Sequence, residues 1–345
     1  MSKQKILYVL DAYPQISQTY VKVEIETLHH DYELEIISLR RPDYPFSNPH
    51  SYHYIPSYKE ILAFARQFQP DIIHTHWMYS QLEIVNQLAK DLNTPFTVRS
   101  HSFDTLWKKR SWYHQLVGRG VSVKIRRYID IMNDSLCLGV LGFPYVVPRL
   151  YEAGVKKNKL IEAPPVVAYD MFHNEEPNGS AIINLGACMP KKRFEDYICL
   201  AGLLPELEFN LYALGYLTET IKQVNQQAGS PVKMHLPIQQ HEMAEKLKDH
   251  QWMVYTADPV LATVGWPLSL AEAQAAGVGV CMRRLRPDLE DYLGGAAILY
   301  DSVEELVDIL KNPVPEEMRR QGFKNAKRFD INTHIHLLTD LWRAA

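Results

Sequence analysis

Residues 264–282 read VGWPLSLAEAQAAGVGVCM, a helix, a stop and a strand in one short segment. Pro267 suits the opening of a helix, where the N–H it lacks has no intrahelical acceptor. Leu268, Ala271 and Ala275 then recur on one apolar face, and Gly277 offers the left-handed residue that ends the helix. The run Val278 to Met282 follows as a buried strand. Glu272 stands among short alanine side chains, where a ligand can come close, and this marks it as a candidate binding group. The ordinary alternative is a solvated glutamate on a helix surface.

A chain of 345 residues exceeds what one core usually serves, so two domains are expected. Apolar residues make up 46% and charged residues 22%, the balance of a globular protein rather than a disordered one. Lys plus Arg is 37 against 40 Asp plus Glu, and a net charge of −3 gives no bulk attraction to nucleic acid. Cys137, Cys188, Cys199 and Cys281 lie far apart without a C-x-x-C pair, which fits buried thiols in a reducing compartment. The opening MSKQKILYVLDAYP is broken by Asp11 and lacks a small-residue cleavage site, so it does not read as a signal peptide. Without an uncharged apolar window of about 18 residues, no membrane span is expected and the cytoplasm is the expected location.

The first half alternates strands and helices. Ile6 to Leu10 is a strand and Thr19 to Leu28 a helix, with Ser17 in the loop between them, at the carboxyl end where open parallel sheets bind ligands. Leu34 to Leu39 and Asp71 to His76 are further strands, and Ile61 to Gln69 and Leu82 to Leu92 helices. His74 and His76 share one face of their strand, which raises a metal pair, but no Cys, Asp or Glu follows at ligand spacing and no metal is expected. Phe96 to Ser100 is a strand whose exit carries His101 and Asp104. Trp107 to Arg127 interleaves lysines and arginines with Trp107, Trp112 and Tyr113, a candidate for peripheral membrane contact or for a phosphorylated acceptor. A solvated basic face is the alternative.

Leu136 to Leu141 and Lys159 to Ala163 close the first half, and Pro164-Pro165 with the polar stretch His173 to Ser180 reads as a boundary. The alternation resumes at Ala181 to Leu185 and continues through strands at Glu208 to Ala213, Val232 to Leu236 and Trp252 to Thr256. His241 to Lys248, Ser302 to Lys311, Glu316 to Arg328 and Thr333 to Arg343 are helices. Both halves are therefore α/β and doubly wound.

The pattern G-W-P-L-S-L-A-E-A-Q-A-A-G-V-G-V resembles the nucleotide-sugar segment of the family 4 glycosyltransferases, E-G-F-G-L-P-x-L-E-A-M-A-x-G-x-P-V, retaining enzymes of the GT-B fold. The resemblance implies that Glu272 holds the donor ribose and that Ser269 and Leu270 belong to the donor site. The family's first glutamate, which contacts the donor sugar, is Val264 here, and Asp258 and Thr263 are the nearest candidates to take its place. Y-P-Q-I-S-Q-T-Y-V-K-V-E-I resembles the family's Y-P-x-x-S-E-T-F-V-x-x-E-I, and R-S-H-S-F-D resembles T-x-H-G-x-D, whose histidine faces the donor sugar and matches His101. L-G-A-C-M-P-K-K-R resembles V-G-R-L-x-P-K-K-G: Gly186 and Lys192 match, Ala187 replaces the arginine that pairs with the diphosphate, and Arg193 is a candidate substitute.

The fold so implied is GT-B, two Rossmann-like domains facing each other across a cleft. Residues 1–165 form the acceptor side and 178–330 the nucleotide-sugar domain, with a helix over 331–345 packing back on the first. The implied activity is hexosyl transfer, of the kind used in polysaccharide biosynthesis, from a nucleotide-diphosphate sugar to a hydroxyl of a glycan or lipid-linked acceptor. His101 and Lys192 are the expected catalytic groups, and neither a cofactor nor a metal is expected. A second reading, motivated by Val264 and Ala187, is a catalytically silent GT-B protein that binds nucleotide or glycan or partners an active transferase.

Overall fold

A computed structural model describes residues 3–43, 45–47, 50–78, 80–101, 123–259 and 264–345, of which 80 and 123–127 are described by backbone alone. It divides into two compact units, Met1–Pro165 with Ile331–Ala345, and Val166–Asp330.

The first unit is built on seven parallel strands: β1 (Lys5–Ala12), β2 (Glu33–Arg40), β3 (His53–Tyr54), β4 (Ile72–His76), β5 (Phe96–Arg99), β6 (Cys137–Gly142) and β7 (Leu160–Glu162). Their order is β3-β2-β1-β4-β5-β6-β7, so the winding reverses between β1 and β4. The continuous apolar run of β1 is explained by cover on both faces. Leu7 and Val9 join one core with Ile61, Leu82 and Met132, whereas Ile6, Tyr8 and Leu10 join another with Val21, Ile25, Leu28 and Trp342. Alternate residues of one strand thus serve two cores, as a strand with period two requires.

The second unit holds β8 (Ala181–Ala187), β9 (Phe209–Leu214), β10 (Val232–His235), β11 (His250–Tyr255), β12 (Gly279–Arg283) and β13 (Ile298–Tyr300). The order is β10-β9-β8-β11-β12-β13, and the reversal falls between β8 and β11. The helix expected to bury one face, Leu268–Ala275, is buried from Ser269 to Ala275. Its alanines allow this, because short side chains let the helix Glu316–Lys327 and β12 approach together. Its one long amide is accounted for: Gln274 Nε2 donates to Ala296 O at 3.0 Å, and Gln274 Oε1 accepts from Asn325 Nδ2 at 2.8 Å. Gly277 takes φ +76° after the helix, and Val278 N donates back to Ala273 O at 3.0 Å.

Several elements carry no clear signal in the sequence. The two-residue strand β3 and the helices Val147–Glu152, Tyr169–Phe172 and Thr218–Gln227 are short or weakly apolar. The last expected helix starts earlier, as Ile331–His334, and resumes as His336–Arg343 after Ile335, which stays helical at φ −60° and ψ −27°.

Trp342 on that last helix is fully buried, edge-on to Tyr8, Tyr32 and His74, and its indole N–H donates to Thr97 Oγ1 at 3.0 Å. Replacing it by alanine should destabilise the protein by about 3–5 kcal/mol. Urea unfolding followed by circular dichroism checks this; an unchanged midpoint would mean that the helix contributes nothing to the core it touches.

Candidate functional site

In the second unit the candidate residues gather around the carboxyl ends of β8 and β11, on either side of the winding reversal. Such a switch point is where open α/β sheets take ligands. β8 ends at Gly186 and Ala187, and a single 3₁₀ turn, Pro190–Lys192, then carries Lys192 inward. Its amine is hydrogen-bonded to the Tyr255 hydroxyl and lies 3.8 Å from the centre of that ring. Gly186 has φ +139°, and a Cβ there would come within 2.8 Å of the Lys192 amine, so only glycine leaves it room. The two strand exits are stitched together: Asp258 N donates to Lys191 O at 3.0 Å, and Thr256 Oγ1 donates to Lys192 O at 2.7 Å. Burial, and then the charge of Lys191, hold Lys192 well below the ordinary lysine range.

Arg193 does not join Lys192. It takes φ +49° at the head of the helix Phe194–Leu203, and its exposed guanidinium pairs with Asp196 at 2.8 Å. The sequence offered it as a substitute for the arginine that Ala187 replaces; here it serves its own helix.

Glu272 is buried, and one of its oxygens accepts from Gln240 Nε2 at 3.0 Å. Burial pushes its carboxyl up to about 7, although the Gln240 bond acts in the other direction. Gln240 heads the helix that follows β10, so Glu272 draws a third strand exit into the group. Ser269 and Leu270 are buried in the first turn of the same helix, and Leu270 N donates to Pro267 O at 3.1 Å. Val264 is buried, and its carbonyl accepts from Arg286 Nη1 at 2.5 Å. Arg286 in turn pairs with Asp288, which accepts from the Trp266 indole at 2.8 Å, so the segment leading into the helix is pinned. Thr263 lies outside the described residues.

In the first unit a buried polar cluster sits near the ends of β4 and β5. Glu24, from the helix Thr19–Leu28, is fully buried, with Oε2 at 3.1 Å from Arg99 Nε. Its Oε1 accepts from the Tyr8 hydroxyl at 3.0 Å and from His76 Nε2 at 3.2 Å. His74 Nε2 is 3.3 Å from the same oxygen, and like Arg99 Nε it holds ion-pair distance without the alignment of a full hydrogen bond. Thr97 Oγ1 is 2.7 Å from His74 Nδ1, and His76 Nδ1 is 3.0 Å from His101 Nε2. Burial by itself raises the Glu24 carboxyl, but Arg99, His76 and the close approach of both histidine rings outweigh it, and the net position is well below the carboxylate range. Burial and the neighbouring His76 and Arg99 hold His101 well below the ordinary histidine value, so its ring is neutral.

The acidic group that sequence spacing did not supply to His74 and His76 is therefore Glu24, and the three offer ligand atoms within 4.8 Å of one another. Arg99 already balances the carboxylate there, with Tyr8 and His76 donating to one of its oxygens and His74 at ion-pair distance. Ser17 is exposed in the turn before the helix. Asp104 and most of the 107–127 segment lie outside the described residues, and no described helix is long and apolar enough to cross a membrane.

The partners Tyr255, Gln240, Glu24 and Arg99 were not singled out in the sequence. The signals were present for two of them: Arg99 ends the buried strand Phe96–Arg99, and Glu24 shares the helix face of Val21 and Leu28.

No protein-family model matches the chain, and no curated protein matches it. Among solved structures it is similar to sucrose-phosphate synthase from Thermosynechococcus elongatus, at 16% identity and TM-score 0.77 over 99% of both chains. It is also similar to HepE of Anabaena in complex with UDP and glucose, at 13% identity and TM-score 0.76 over 99% of this chain and 100% of the other. The lipopolysaccharide outer core galactosyltransferase WaaB, in its apo form, matches at 13% identity and TM-score 0.60 over 99% of both. With the two parallel sheets, this likeness shows the GT-B fold, two Rossmann-like units in one chain.

Proposed function

We propose that this chain transfers a hexose from a nucleotide-diphosphate donor to a hydroxyl of a glycan or lipid-linked acceptor, retaining the anomeric configuration and using no metal. Lys192 carries the reading. It is a buried amine at a switch point, its surroundings supply no carboxylate among the described residues, and a glycine leaves room beside it. An unbalanced buried amine is costly, and an arriving diphosphate relieves that cost. As the glycosidic bond breaks, the departing diphosphate gains charge, which a preorganised cation stabilises. Retention follows from front-face attack within an ion pair, with the departing phosphate accepting the proton of the acceptor hydroxyl. Glu272 is assigned to the ribose hydroxyls and His101 to a hydroxyl of the sugar. The names of the similar structures, two of them sugar-handling enzymes and one solved with UDP and glucose, support this reading.

Because burial holds the Glu272 carboxyl at about 7, uridine diphosphate should bind more tightly as pH rises through that value and more weakly as it falls. Glu272→Ala should cost about 1.5–3 kcal/mol of binding and remove the pH dependence. Calorimetry across neutral pH measures both; unchanged affinity would leave Glu272 as a structural partner of Gln240 only.

Lys192→Ala should lower turnover by a factor on the order of 100, because it removes charge stabilisation that is needed most in the transition state. Equal turnover of wild type and variant would take Lys192 out of the mechanism.

Val264 cannot accept a hydrogen bond from a sugar hydroxyl through its side chain. Val264→Glu should therefore shift preference among uridine- and guanosine-diphosphate sugars, by up to about a hundredfold. A panel of such donors tests this. If the wild-type protein binds nucleotide and transfers from no donor, the second reading, binding without transfer, takes its place.

A further inference from the structure

Lys192 and Tyr255 hold between them more hydrogens than they can place on each other. The Lys192 amine donates to the Tyr255 hydroxyl, and neither group has another hydrogen-bond partner among the described residues. An ammonium carries three hydrogens and a phenol one; an uncharged amine and a phenol carry three between them. One bond joins the two groups, so in either state of the amine at least two hydrogens are left over. Both side chains are buried, Lys192 at 8% exposure and Tyr255 at 2%, where a hydrogen without an acceptor is costly. Burial also raises the Tyr255 phenol above its ordinary value, so at neutral pH it keeps its hydrogen and is a donor.

The fold fixes where these hydrogens meet. Tyr255 ends β11, which pairs with β12 on one side, Tyr255 against Met282, and with β8 on the other. Its carbonyl accepts from the Tyr300 hydroxyl at 3.2 Å, and the next residue, Thr256, donates through Oγ1 to Lys192 O at 2.7 Å. Strand and turn are thus tied together, with the amine 3.8 Å from the ring centre. The charge that acts on this amine, Lys191, is of its own sign, while Arg193 and Asp196 pair with each other. An anion with several oxygens, all acceptors, matches such a surplus of donors. A sugar hydroxyl brings a hydrogen of its own and fits it less well.

We propose that the Tyr255 hydroxyl is a second donor, beside Lys192, to a diphosphate bound at the end of β8. The hydroxyl accepts from the Lys192 ammonium and turns its own hydrogen to a phosphate oxygen, and the remaining ammonium hydrogens meet the same anion. Tyr255 is thereby a binding residue for the phosphates and not only a ring packed beside a lysine. This rests on the proposed function for the diphosphate as the ligand of Lys192 and adds the phenol to it.

Calorimetry with inorganic pyrophosphate tests it, because that probe has neither ribose nor sugar and leaves Glu272 and His101 out of the measurement. The wild-type chain should bind pyrophosphate, and Lys192→Ala should bind it roughly a hundredfold more weakly, which locates the anion. Tyr255→Phe keeps the ring and loses the hydroxyl alone. It should bind pyrophosphate and uridine diphosphate about tenfold more weakly, and by the same factor, since the lost bond is to the phosphates. Equal affinity of wild type and Tyr255→Phe for pyrophosphate overturns the inference. So does a loss confined to uridine diphosphate, a wild-type chain that binds no pyrophosphate, or a Lys192→Ala chain that binds it as tightly as wild type. Should Tyr255→Phe not fold, the wild-type chain labelled with ¹³Cζ-tyrosine decides: a tyrosine signal should move on addition of pyrophosphate, and a spectrum in which none moves overturns the inference. If both anions are bound as expected and no sugar donor is turned over, the phenol keeps its place as a phosphate ligand and the transferase reading falls.

Discussion

Glu24 and Arg99 place two opposite charges in the interior of the first unit, 3.1 Å apart and almost without exposure. Taking charges out of water is costly, and a buried pair repays that cost only when the remaining hydrogen-bonding positions are filled. Here Tyr8 on β1 and His76 on β4 bond one carboxylate oxygen, while His74 on β4 and Arg99 on β5 stand at ion-pair distance. Losing either charge would leave the other stranded, at about 3–5 kcal/mol. The pair therefore sets the rotation of the helix Thr19–Leu28, because one orientation alone brings Glu24 over β4 and β5. Apolar contact with Val21, Ile25 and Leu28 is compatible with that rotation but less selective of it.

The second unit treats its buried charge in the opposite way. Lys192 has a phenol and a ring beside it rather than a carboxylate, and its amine is pushed toward the neutral form. Glu272 has an amide beside it rather than a cation, and its carboxyl is pushed toward the protonated form. Each is held short of its ordinary charge by burial. One unit pairs its buried charges with each other; in the other they stand apart among neutral partners.

Much of this architecture was readable in the sequence. The runs Ile6 to Leu10 and Val278 to Met282 announce parallel strands because both faces are covered, and the stop at Gly277 needs a residue that tolerates positive φ. Glu272, Lys192 and Gly186 were picked out by motif; Gly186 lies at the end of β8, Lys192 in the turn that follows it, and Glu272 within the buried helix Leu268–Ala275. What the sequence hid is pairing across distance. Arg193 stands beside Lys192 in the chain, yet it turns to Asp196 one helical turn on, an attraction that local spacing favours and a motif does not show. Gln240 is far from Glu272 in sequence, and nothing local marks it as that carboxylate's partner. The pair His74 and His76 resembles a ligand pair as a string, and nothing local shows that Glu24, with Arg99 behind it, comes within 4.8 Å of both.

Trp342 donates to Thr97, and Thr97 bonds the histidine that faces Glu24, so the polar centre of the first sheet has its outermost donor on the last helix. Residues 331–345 are synthesised after every residue of the second unit, although they belong to the first. While the chain is being made, the first sheet has to wait through the whole of its neighbour's synthesis with the face of Ile6, Tyr8 and Leu10 incompletely covered. Domains ordinarily fold in the order in which they emerge. Here every residue of the second unit precedes 331–345, so the polar centre near His101 gains its Trp342 donor only after that unit has been made.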